Sequence, residues 1–109
     1  MKAAKKKRLE SAGWKVGTAA EFLGLSREEA ALLKVRLALG EFLRRHRAKR
    51  HLSQEALAMR LGSSQSRIAK LEAGTRGVTL DLLFRALLAT GVTVGEIARE
   101  IQHKTRSAA

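Results

Sequence analysis

Leu32, Val35, Leu39, Phe42, Leu43 and His46 recur at intervals of three or four residues, the spacing that lays side chains along one face of an α-helix. Strict apolar/polar alternation of the strand type is missing, Leu and Ala dominate the apolar residues, and proline is absent. The pattern predicts an all-α fold. Capping residues mark where each helix begins. Ser26 and Glu29 form an S-x-x-E capping box and open a long helix expected to run to about Arg50. A shorter helix is expected before it, Thr18 to Leu23, with Gly24 as its left-handed terminator. Ser53 opens Gln54 to Leu61, and Ser63 or Ser64 opens a helix ending near Ala73. Thr79 opens Leu80 to Thr90, with Leu80, Leu83 and Leu87 inward. Thr93 and Glu96 form a second capping box for a last helix through Ile97 and Ile101.

Between Leu52 and Gly74 the punctuation is dense. Two brief helices flank a tight turn at Gly62. Ala58 is small enough for the helices to approach, while Leu57, Leu61, Ile68 and Leu71 can knit the angle between them. These are the physical demands of a helix-turn-helix.

Charge narrows the choice of partner. The chain of 109 residues carries 22 Lys and Arg against 10 Asp and Glu, a formal net charge of +12, which favours a polyanion. An anionic membrane is the weaker candidate, because no apolar run approaches the roughly 20 residues of a spanning helix. Without cysteine there is no disulfide framework, thiolate metal site or cysteine nucleophile. No apolar segment of the signal-peptide kind follows the basic N-terminus, so the expected compartment is the cytoplasm. Residues 1–15, with Lys2, Lys5, Lys6, Lys7 and Arg8, read as a flexible basic arm, and 16–105 as one helical domain.

The run Leu52-Ser53-Gln54-Glu55-Ala56-Leu57-Ala58-Met59-Arg60-Leu61-Gly62-Ser63-Ser64-Gln65-Ser66-Arg67-Ile68-Ala69-Lys70-Leu71-Glu72-Ala73-Gly74 resembles the phage Cro and repressor (XRE) helix-turn-helix family. The resemblance covers about Ala38 to Ile101 and implies a five-helix repressor-like domain, here with an N-terminal helical extension. It further implies that Gln65, Ser66 and Lys70 face base edges. Their chemistry suits that role: Gln can bridge adenine N6 and N7, Ser can donate or accept, and Lys can reach guanine O6 or N7. Gln54 is expected to touch a phosphate and brace Gln65, with Ser64, Arg67, Thr75 and Arg76 as further phosphate contacts. Arg47 and Glu72 fall where the family places a partly buried ion pair. The implied target is double-stranded DNA, bound by a homodimer on an inverted repeat.

Gly13-Trp14-Lys15-Val16-Gly17, Glu21-Phe22-Leu23-Gly24-Leu25-Ser26 and Ser63-Ser64-Gln65-Ser66-Arg67 resemble more narrowly the regulators paired with RelE or HigB-like toxins, antitoxins that repress their own operon. Trp14 and Phe22 are the candidate toxin contacts, and Trp14 is also a candidate core plug. The alternatives are an autonomous phage-type repressor, or an RNA-binding or coactivator-type helix-turn-helix protein. One Trp, three Phe and no Tyr leave few aromatics to stack unpaired bases. No catalyst is expected. His46, His51 and His103 lack metal-ligand spacing, Gly74-Thr75-Arg76-Gly77 lacks the P-loop pattern, and neither cofactor nor metal is implied.

Overall fold

The computed structural model describes residues 24–106. Among these lie five α-helices and no strand: α1 Arg27–Lys49, α2 Gln54–Leu61, α3 Gln65–Ala73, α4 Leu80–Ala89 and α5 Val94–Arg106. The expected basic arm, the helix from Thr18 to Leu23, Trp14 and Phe22 all lie outside the described residues.

Local chemistry sets where each helix starts. Ser26 Oγ accepts from the Glu29 N–H at 3.1 Å while the Glu29 carboxylate accepts from the Ser26 N–H at 3.0 Å, so two otherwise unpaired donors are satisfied. Thr93 and Glu96 make the same reciprocal pair at the start of α5, at 2.9 and 3.1 Å. Ser53, Ser64 and Thr79 cap α2, α3 and α4 with hydrogen bonds to the backbone three residues on. Glu28 and Glu29 lie in the first turn of α1, and His46, Arg47 and Lys49 in its last, in accord with the helix dipole.

The helices surround one core in which Leu39, Leu43, Leu57, Ile68, Leu71, Leu83, Leu87 and Ile97 are fully buried. Helix α1 packs against α3, α4 and α5, and α2 packs against α3 and α4. The buried part of α1 is confined to Ala38–Leu43. Leu32, expected to continue the apolar stripe, is instead 45% exposed and lies outside the buried stretch of α1.

Two features lie beyond the reach of periodicity. At Gly40 the backbones of α1 and α3 come so close that a Cβ would stand 2.6 Å from the carbonyl oxygens of both Leu71 and Glu72. Thr90, buried after α4, satisfies its hydroxyl by donating to the Leu87 carbonyl at 2.7 Å. His46 is half-buried, its ring edge-on to Phe42 with centroids 4.6 Å apart.

Candidate nucleic-acid interface

The turn between α2 and α3 is short because Gly62 adopts the left-handed conformation at φ 62° and Ser64 caps α3 two residues later. Ala58 and Leu57 on α2 and Ile68 and Leu71 on α3 are buried together, which holds the two helices at a fixed angle. Opposite that buried seam, Gln65, Ser66, Arg67 and Lys70 are exposed. Gly74, at φ 66°, ends α3 and also lies against α1: a Cβ there would meet Leu37 Cδ2 at 3.0 Å.

A line of hydrogen bonds runs from the interior to this exposed face. Arg47, on α1, donates through Nε and Nη2 to the Glu72 carboxylate at 2.5 and 3.0 Å, and through Nη1 to the Leu52 carbonyl at 2.8 Å. The side chains are 16% and 5% exposed respectively, so the pair is largely withdrawn from water. Gln54 Nε2 donates to Glu72 Oε1 at 2.9 Å. A carboxylate can only accept, so this bond dictates the orientation of the Gln54 amide and turns its Oε1 outward. That oxygen accepts from Gln65 Nε2 at 2.6 Å. Gln65 is thereby braced, yet keeps its own Oε1 and one N–H. Gln54, with both amide ends engaged, retains one N–H for a further acceptor.

Ser64 Oγ accepts from the Arg67 N–H at 3.2 Å and lies 3.3 Å from Ser66 Oγ. Arg67, Lys70, Thr75 and Arg76 line a concavity of about 370 Å³ between α3 and the loop to α4. Gly77, Val78, Thr79 and Leu82 complete its lining, so no acidic side chain faces it. Three cations and two hydroxyls there make a site for an anion.

The basic end of α1 does not add to this surface in proportion to its charge. Arg44 is bound to Glu41 at 2.5 Å and Arg45 to Glu100 of α5 at 2.7 Å, with the Arg45 guanidinium also over the Phe42 ring. The hydrogen bond from Arg44 holds the Glu41 carboxyl below its ordinary range, and the same contact raises Arg44. Arg76 carries a partner that sequence reasoning missed. Its Nη2 donates to Glu29 Oε2 at 2.7 Å, between residues 47 apart in the chain. No pattern of spacing signals such a contact.

A family model described as helix-turn-helix matches residues 43–97, just over half of the chain. The chain belongs to the helix-turn-helix family. The matched span of this helix-turn-helix protein begins at Leu43, in the second half of α1, and ends at Ile97, in α5, so it encloses α2, α3 and α4 whole. The family is of the Cro and repressor type, typically non-enzymatic, and membership implies DNA binding. No curated protein and no solved structure matches the chain. Among the described residues no helix is long and apolar enough to cross a membrane.

Proposed function

We propose that this helix-turn-helix protein is a sequence-specific transcriptional repressor that inserts α3 into the major groove of duplex DNA. The observation that carries the reading is the hydrogen-bonded line Arg47–Glu72–Gln54–Gln65, which anchors an exposed glutamine to the interior. The oxygen and the N–H that Gln65 keeps are the two groups that adenine N6 and N7 require. Ser66 and Lys70 stand on the same exposed face as further base contacts. Ser64, Arg67, Thr75, Arg76 and the remaining N–H of Gln54 position the helix on phosphates.

One recognition helix reads few base pairs, so the working form is a homodimer on an inverted repeat, with half-sites about one helical turn, roughly 34 Å, apart. The dimer contact is assigned to the last helix, where Val94 is 62% exposed, or to the N-terminal extension. The finer reading is an antitoxin that represses its own promoter in the cytoplasm and binds a RelE or HigB-like toxin. It rests on the resemblance of the segments around Trp14, Phe22 and Ser63–Arg67. Co-purification with the product of a neighbouring, toxin-sized reading frame tests it, and an autonomous repressor would show no such partner.

The DNA-binding reading is tested by binding of Gln65→Ala, Lys70→Ala and Arg67→Ala variants to a duplex enriched by in vitro selection and to a scrambled one. The first two should lose affinity worth about 1 to 3 kcal/mol on the selected duplex and much less on the scrambled one. Arg67→Ala should weaken both alike and flatten the plot of log K against log salt by about 0.9. Equal losses on both duplexes for Gln65→Ala and Lys70→Ala would refute base reading. Light scattering of the same complexes reads their stoichiometry, and a monomer on a single half-site would refute the dimer.

A further inference from the structure

We propose that Glu29 sets the DNA affinity of this protein by occupying Arg76, as a carboxylate built into the chain that a DNA phosphate must displace. The inference rests on the DNA-binding reading above and adds an affinity-determining residue from outside the family-matched span 43–97.

Arg76 stands on the divide between two concavities. One is the cationic hollow of about 370 Å³ beside Arg67, Lys70 and Thr75. The other, about 400 Å³, lies along the first turns of α1 and is lined by Leu25, Glu29, Leu32, Leu33 and Arg36 together with Arg76 itself. The guanidinium can therefore serve an anion on either side, and in this structure it is turned toward Glu29, with Nη2 at 2.7 Å from Oε2.

The two partners are held unequally. Glu29 is anchored: its Oε1 accepts from the Ser26 N–H at 3.0 Å, and its own N–H donates to Ser26 Oγ at 3.1 Å. Those contacts, the backbone bond foremost and the attraction of Arg76 least, keep the carboxyl below its ordinary range and so charged. Arg76 is the looser member, 74% exposed against 43% for Glu29. A carboxylate and a phosphate each offer arginine a pair of anionic oxygens that accept from its fork of N–H donors, so they compete for it directly. An exposed ion pair is weak enough for DNA to break and strong enough to register in affinity.

Glu29→Gln isolates this effect, since glutamine at the third helical position still completes the capping box and only the charge is lost. We expect Glu29→Gln to tighten binding to a short random-sequence duplex by about two- to fivefold at low salt, the range of one exposed ion pair. The gain should shrink as salt screens the pair. In the Arg76→Ala background the same substitution should change affinity by less than about 1.5-fold, because there is no arginine left to release. Circular dichroism melts of each variant establish that the fold is kept. An equal gain in both backgrounds would show that Glu29 acts through the general field of the protein, and no gain in either would show that it does not compete at all. Either result overturns the proposal. Failure of the unmodified protein to bind duplex DNA would instead overturn the reading on which it rests.

Discussion

Replacing Glu72 with alanine removes the acceptor on which the whole interior line depends. Arg47 loses the contacts at 2.5 and 3.0 Å and keeps only its bond to the Leu52 carbonyl at 2.8 Å, while Gln54 loses its acceptor at 2.9 Å. Breaking a buried ion pair from one side costs about 3 to 5 kcal/mol, because the remaining charge is left without a partner in a poor dielectric. The Arg47 side chain is 16% exposed, so some water reaches it and the lower end, about 3 kcal/mol, applies. For a domain of this size, at about 4 to 8 °C per kcal/mol, that corresponds to a fall in Tm of about 12 to 24 °C. The double change Arg47→Met with Glu72→Leu takes away both charges and should recover much of the loss. Urea unfolding followed by circular dichroism gives all the corners of the cycle. A Glu72→Ala variant as stable as the parent would refute the claim that this pair anchors α1 to α3. The same variant should also bind the selected duplex less well than its stability alone explains, since Gln54 would no longer be oriented to brace Gln65.

Gly40→Ala should destabilise the fold by about 1 to 3 kcal/mol, because its Cβ would meet two backbone carbonyls at 2.6 Å that cannot move without shifting α3; a lowered urea midpoint at unchanged slope is the expected result. Acid sensitivity should trace in part to the two capping boxes, beside the Glu41 carboxyl that Arg44 also holds low. Glu29 and Glu96 are lowered chiefly by backbone and side-chain hydrogen bonds with Ser26 and Thr93, so their contribution is full above the ordinary carboxylate range and is lost as pH falls through their folded values. The Glu29→Gln, Glu96→Gln variant should show a flatter decline of stability on the acid side, and an unchanged pH profile would refute that origin.

Much of this architecture is decided by interactions three or four residues long. The Ser26–Glu29 and Thr93–Glu96 boxes and the Ser53, Ser64 and Thr79 caps need only their own helix turn to form. Gly62 and Gly74 stop α2 and α3 through their own backbone freedom. Helix order, the turn at Gly62 and the all-helical class therefore follow from the sequence alone. What the sequence leaves open is where one helix lies upon another. The Arg76–Glu29 contact spans 47 residues and Arg45–Glu100 spans 55, and neither spacing distinguishes these partners from any other opposite charges. Leu32 continues the helical stripe yet is exposed, since periodicity fixes the face a residue occupies but not how far along that face the core extends. At Gly40 the requirement for a missing side chain arises only once α3 has been laid against α1. The site shows the same division. Gln65 and Lys70 owe their exposure to helix phase, but the bracing of Gln65 by Gln54 and Glu72 exists only because packing brings α1, α2 and α3 together around one carboxylate. Local hydrogen bonding thus names the elements, and the burial of apolar surface, which acts without regard to chain separation, decides their neighbours.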